Sequence, residues 1–319
     1  MKSNQTRCKL MRLGAKKLVF LLISCSVFST GFAQNRKASS NGQSLQDATT
    51  IPYLLTLHER IVQAANDSVR LRAHQDLLQE MTAAFETADF WSLDSDSLAQ
   101  RIGIVSSGEG RNRLAIITWN VEFEDRTNRY GGIVLTRSSD DEQLVTPLTF
   151  KAPNSQRNKL DPKNRYSQKN WPGAIYYDIL ARKQGSRTVY TLLGWDGADG
   201  TRNRKIIETL SVNGNRIKFG LPIIDIGRAS VKRHILEYND AVSTTLKWRE
   251  DMEMIVMDHL SPSDPAMAGF TAFYGPDFTY DGFFWHRNHW VLKEDIEVRD
   301  TELNAPWNNP RRWRQRSRN

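Results

Sequence analysis

From Pro52 to about Ala88 apolar residues recur at helical spacing. Leu54, Leu57, Ile61 and Ala65 share one face, and His74, Leu77, Leu78, Met81, Phe85 and Ala88 share another. The pattern predicts two helices broken near Asn66-Asp67, where an Asx side chain caps the second. His58 and His74 read as surface or partly buried helix residues with no catalytic part, because nothing nearby supplies a triad-like partner.

After residue 100 the period falls from 3.6 to 2, and β-rich segments recur at hairpin spacing. "RLAIITWNVEF" faces "YGGIVLT" across "EDRTNR", and "AIYYDILARK" faces "RTVYTLLGW" across Gln184-Gly185-Ser186. "IIETLSV" turns at Asn213-Gly214 into "NRIKFG", and "KRHILEY", "TTLKWRE" and "MEMIVMDHL" follow. Strands joined by short turns pair antiparallel, since a parallel pair needs a long crossover. The expected class is therefore α+β: a short N-terminal helical region (51–98) followed by a large antiparallel β-meander, as a sheet or sandwich (99–304). The polar stretch 151–173, with three prolines, is the least ordered part expected of the β region.

The final strands carry the densest aromatic stretch, "FYGPDFTYDGFFWHRNHW", residues 273–290. With Arg287-Asn288 as a two-residue turn, His286 pairs with His289 and Trp285 with Trp290. Phe283, Trp285, Trp290 and Leu292 then share one apolar, core-facing side. Phe284, His286, His289 and Val291 share the other.

Composition alters this picture chiefly at the two ends. Residues 1–33 read as an export signal: Lys9, Arg12, Lys16 and Lys17 precede the apolar run Leu18 to Phe32, with Gly31 and Ala33 at the spacing a signal peptidase accepts. Cleavage near Ala33 implies a periplasmic or secreted product. A competing reading takes "LISC" as a lipobox acylated at Cys25. The run is too short for a membrane span. The signal holds six basic residues and no acid, so 44 Lys and Arg fall to 38 against 36 acids, and net charge falls from +8 to +2. Five more arginines (Arg311, Arg312, Arg314, Arg316, Arg318) crowd a basic, disordered tail, 305–319, suited to an anionic surface polymer. The body that remains is slightly acidic, which excludes a nucleic-acid surface. Both cysteines lie in the signal, so disulfides, thiolate nucleophiles and Cys-ligated metals are excluded from the mature chain. Residues 34–50 are polar and aperiodic, a flexible leader.

Candidate chemistry is sparse. Asp277 and Asp281 sit in "YGPDFTYDGF", where Asx turns are the commoner role. As a carboxylate pair they suit glycan hydrolysis. Asp258-His259 offers an oriented base, but no serine stands in a nucleophile-elbow context. His286 and His289 reach one Zn²⁺ or Cu²⁺ across the hairpin, yet two ligands are not a site. "GWDGADGTRNRKIIE" resembles a calcium loop, but Ala198 and Gly200 occupy the third and fifth ligand positions, leaving a Gly-rich turn with exposed Asp residues. No cofactor motif is present, and no catalytic constellation is complete.

The blocks "RLAIITWN", "GAIYYDIL", "YTLLGWDG", "KIIETL", "FGLPI", "KRHILEY", "MIVMDHLSPS", "FYGPDFTYDGF" and "W…LKEDIEVR" resemble a group of exported proteins of Bacteroidetes-type bacteria without an assigned activity. The likeness spans about residues 100 to 300. It implies a cell-envelope setting and no reaction, ligand or catalytic residue. The chain departs from the group at the hairpin turn, where Arg287-Asn288 stands in place of an expected Gly. The sequence thus points to an exported protein with a non-catalytic binding or assembly role and an envelope protein or anionic polymer as partner. A hydrolase using Asp277, Asp281 or His259 is the alternative, and a metal-binding protein using His286 and His289 the third reading.

Overall fold

A computed structural model describes residues 41–138, 140–152 and 160–298. The expected export signal (1–33), residues 34–40 of the expected leader, the expected basic tail and residues 153–159 lie outside the described residues. The structure is mostly antiparallel β-sheet with a few helices.

The helices are α1 (Asn41–Val62), α2 (Asp67–Thr87) and the single-turn α3 (Asp96–Ala99). Helix α1 begins within the stretch expected to be a flexible leader, and Pro52 lies inside it. Proline removes one backbone donor from the helix, and the Thr56 hydroxyl donates to the Pro52 carbonyl at 3.0 Å. Asn66 caps α2, its Oδ1 accepting from the Val69 amide at 3.0 Å.

Three sheets follow. The first is β1 (Gly103–Ser107), β2 (Leu114–Glu122), β3 (Asn128–Arg137) and β4 (Gln143–Pro147), in that order. The second contains β5 (Tyr166–Ser167), β6 (Ile175–Gln184), β7 (Arg187–Asp199), β8 (Arg202–Asn213) and β9 (Arg216–Phe219), in the order β5-β9-β8-β7-β6. The third contains β10 (Ile224–Ile226), β11 (Ala229–Val231), β13 (Leu246–Arg249), β14 (Met254–Pro262), β15 (Tyr274–His286) and β16 (His289–Lys293), ordered β11-β10-β16-β15-β14-β13. Strand β12 (Arg233–Asn239) pairs with β8, on the half of that strand that β9 leaves free. Among the described strands three pairings depart from the meander: the long-range return of β12 to β8, the pairing of β5 with β9, and a parallel pairing of β10 with β16. The β8–β9 turn is Gly214-Asn215, one residue later than the Asn-Gly signal suggested.

Side-chain alternation stacks these elements into layers. Leu54, Leu57 and Ile61 of α1 with Leu77, Met81 and Phe85 of α2 pack on one face of the first sheet, against Ala115, Ile117 and Trp119. Leu114, Ile116 and Val134 of its other face pack on Tyr176, Leu192, Ile206 and Leu210 of the second sheet. The far face of that sheet, through Leu193 and Ile207, meets Ile255, Phe283 and Trp290 of the third. Gly131 and Gly132 of β3 leave room for two indoles: a Cβ at Gly131 would meet the Trp119 ring at 2.1 Å, and one at Gly132 the Trp171 ring at 3.1 Å. Within 151–173, Leu160 and Trp171 are buried core residues. Among the described residues no helix is long and apolar enough to cross a membrane.

The C-terminal hairpin has the expected register, with Trp285 opposite Trp290 and His286 opposite His289. Arg287 and Asn288 both take positive φ (47° and 69°), the backbone a two-residue hairpin turn requires even without glycine. Phe283 and Trp290 are fully buried, and Trp285 and Leu292 are half-buried against the same cluster. The other face is not bare: Phe284 packs on a small cluster of Met254, Val256 and Ile296.

Within the second sheet lies a row of charges. Asp196 of β7 and Glu237 of β12 both stand directly opposite Arg204 of the intervening β8. The fully buried Arg204 guanidinium donates to Asp196 at 2.8 Å and to Glu237 at 2.6 Å. Asp196 is buried, contrary to the exposed Gly-rich turn expected of "GWDGADG", and also accepts from the Tyr130 hydroxyl of β3 at 2.7 Å. Arg233 of β12 and Glu208 of β8 form a second buried cross-strand pair at 2.9 Å. Removing one partner of a buried pair strands the other charge, so Arg204→Met should cost about 3–5 kcal/mol in urea unfolding. Arg60→Met, which loses an exposed pair with Asp76, should cost less than about 1 kcal/mol. Equal losses would show that the buried row is not what holds these strands.

Candidate functional site

The sequence candidates converge on the β14–β15 pair. Asp258 of β14 lies opposite Tyr280 of β15, and Leu260 opposite Pro276, so the single residue His259 faces the three residues Asp277, Phe278 and Thr279. Such a bulge breaks the ladder and re-aims side chains. Asp277 closes the extra loop as an Asx turn, its Oδ1 accepting from the Thr279 amide at 3.1 Å and the Thr279 hydroxyl at 2.7 Å. Phe278, at the tip, takes φ +70° and is 91% exposed.

Beneath this tip the imidazole of His259 spans two carboxylates. Its Nδ1 lies 2.8 Å from Asp281 Oδ2, and its Nε2 3.9 Å from Asp277 Oδ2. Asp281 is buried, and its second oxygen accepts from the Asp295 amide at 3.1 Å. The hydrogen bond to Asp281, with the charges of Asp281 and Asp277, raises the His259 pKa above its ordinary value despite partial burial. Partial burial pulls the Asp277 carboxyl upward, but the Thr279 bonds, His259 and the Ser261 hydroxyl outweigh it and hold the carboxyl below the usual range.

This arrangement suits an ion-paired histidine better than a catalytic one. A general base must be neutral to accept a proton, and a glycosidase acid needs a raised carboxyl pKa. His259 is shifted toward the cation and Asp277 toward the anion. Ser261, the nearby hydroxyl, is engaged with Asp277. The sequence neighbours Asp258 and His259 do not form a dyad: Asp258 is buried and accepts from the Thr245 amide at 2.6 Å and the Thr244 hydroxyl at 3.2 Å. Asp281, 22 residues away, orients His259 instead.

The hairpin histidines are separated in role. His289 Nδ1 lies 3.0 Å from both carboxylate oxygens of Asp225, which the parallel β10–β16 pairing brings alongside. His286 is exposed, its ring 6.2 Å from that of Phe284. Among the described residues no group of three or more His, Cys, Asp or Glu side chains is arranged to hold a metal ion. His74, read from sequence as a helix-surface or partly buried residue, is buried and accepts from the Trp119 indole N–H at 3.0 Å. Burial, with a smaller contribution from Arg129, lowers its pKa to about 4.

Beside the Phe278 tip lies an open hollow of about 630 Å³, lined by Phe278, Tyr280, Asp295 and Glu297 among others. Two further pockets, of about 320 and 470 Å³, lie elsewhere. His259 lines none of the three. Sequence reasoning missed Phe278 as the prominent group and Asp225 as a partner of His289. A signal for the first was present, since a phenylalanine between an Asx residue and Thr in a turn has no core to enter. The second rests on pairing across 64 residues and has no local signature.

Comparison with protein-family models, with curated protein sequences and with solved structures gives no match.

The raised His259 pKa has a definite sign. Its stabilising contribution is complete below the unfolded value near 6.5 and is lost as pH rises through the higher folded value. An NMR titration should therefore give His259 a pKa above 6.5, returning toward 6.5 in Asp281→Asn. A wild-type value at or below 6.5 would contradict the ion-paired assignment.

Proposed function

We propose that this is an exported cell-envelope protein with a non-catalytic binding or assembly role, which recognises a protein partner through the β14–β15 tip. The single observation that carries the reading is Phe278. Burying a phenylalanine stabilises a fold by about 1.5–3 kcal/mol, and a left-handed backbone costs a non-glycine residue about 1–2 kcal/mol. At Phe278 the first gain is forgone and the second cost is incurred, because the ring is 91% exposed at φ +70°. Exposed aromatics held by strained backbone are a recurrent property of recognition sites. Phe270, 64% exposed, adds apolar surface to the chain between β14 and β15.

In this reading the chain is an α+β protein whose N-terminal helices brace a large β body, and the export signal and envelope setting follow from residues 1–33 and the family resemblance. Nucleic acid is not a partner. The second reading is a glycan- or peptide-directed hydrolase using His259, Asp277 and Asp281. The 2.8 Å bond between His259 and Asp281 favours it, whereas the lowered pKa of Asp277 suits that residue to the nucleophile or base of a carboxyl pair and not to its acid.

The test is site-specific photocrosslinking in cells of a bacterium that carries the protein. A photoreactive phenylalanine analogue at position 278 should give discrete higher-mass adducts, and the same analogue at Val69, an exposed site on α2, should not. No adduct at 278, or the same adducts from both positions, would overturn the proposal.

A further inference from the structure

A second site lies away from the β14–β15 tip, where α1, the α3–β1 connection, β2 and β6 meet. Its pocket, about 320 Å³, is of the size that small ligands occupy. Ile102, Ile104 and Ile175 give it apolar walls, and His58, Arg101 and Asn120 give it polar ones. No carboxylate is among its lining residues, although acids slightly outnumber bases in the body of the chain. By contrast, the hollow beside Phe278 is lined by Asp295 and Glu297, and the third pocket by Glu80.

The basic groups here have no close hydrogen-bond or ion-pair partner among the described residues. Arg101 is exposed, and its guanidinium makes no hydrogen bond or ion pair among the described residues. His58 is half-buried, likewise with no partner for its ring nitrogens among the described residues. Burial chiefly, and Arg101 in addition, lower its pKa, while the neighbouring Glu59 works the other way. The Asn120 amide donates to Asn128 Oδ1 at 2.9 Å, so its polar wall is held in place. The Tyr177 ring, also in the lining, carries Lys205 Nζ 4.6 Å from its centroid. The two fully buried arginines, Arg204 and Arg233, are by contrast each paired with carboxylates. A guanidinium and an imidazole left together over an apolar floor constitute a receptor for an anion with an apolar body.

We propose that this pocket binds a small carboxylate ligand, with its carboxylate on Arg101 and His58 and its branched or aromatic body on Ile102, Ile104 and Ile175. A free organic acid and the C-terminal residue of a peptide share this chemistry. The experiment is titration of the folded mature protein with N-acetyl-leucine, benzoate, the dipeptide Ala-Leu, neutral benzamide and inorganic phosphate, followed by calorimetry and by the NMR signals of His58. N-acetyl-leucine or benzoate should bind with Kd of about 1 mM or tighter and shift His58. Benzamide, phosphate and the Arg101→Gln variant with either acid should each be weaker by about tenfold. Ala-Leu binding as well as N-acetyl-leucine would assign the site to peptide C-termini, and its exclusion would assign it to free acids; both support the carboxylate pocket. Undiminished binding by Arg101→Gln, phosphate binding as tight as the acids, or no binding of either acid at about 10 mM would overturn it.

Discussion

The return of β12 to the second sheet depends on a row of three charges, Asp196, Arg204 and Glu237, carried on adjacent strands β7, β8 and β12. Taking a guanidinium and its carboxylates out of water is costly, and only close, correctly oriented partners offset the loss. That requirement makes the row a register lock. A two-residue slip of β12 along β8 would set Arg233 against Ile206 or Leu210 and bury its guanidinium without Glu208. Hydrophobic alternation alone tolerates such a slip, because it keeps every side chain on its own face. The charges do not.

Beyond β12, the third sheet packs on the second through Ile255, Phe283 and Trp290 against Leu193 and Ile207. Trp290 closes that contact, its indole N–H donating to the Thr191 hydroxyl of β7 at 2.7 Å while its ring packs at 5.1 Å from that of Trp285. Strand β15 consequently has two unlike ends. Phe283 is held in the interior, and eight to five residues before it the backbone passes through Gly275 to Phe278, where pairing breaks and a ring stands in solvent. The rigid end supplies the anchorage that the strained end needs. His259 lies at the base of that tip between the carboxylates of Asp281 and Asp277.

Much of this was legible in the residues. The two helices, their buried faces, the Asn66 cap and the register of the last hairpin all follow from periodicity and turn chemistry, which act over a few residues. What could not be read were relations made by distant strands. The helix continues through Pro52 to Asn41, although polar composition suggested a leader there. The acid in "GWDG" is buried because Arg204 and Tyr130 meet it from other strands. The partner of His259 is Asp281 rather than the adjacent Asp258, because a bulge turns one imidazole toward the facing strand. The alternation of Arg204, Ile206 and Glu208 along β8 was a local sign of charges entering a core, yet its meaning depends on Glu237 and Arg233.

The central claim is that Phe278 is held outward at the expense of folding, for contact with a partner. Equilibrium unfolding of Phe278→Gly measures this most directly, since glycine removes the ring and the left-handed strain together. The account predicts a stability equal to the parent or higher by up to about 1 kcal/mol. A loss of more than about 1 kcal/mol would mean that the ring supports the fold itself, and the recognition surface would have to be sought elsewhere.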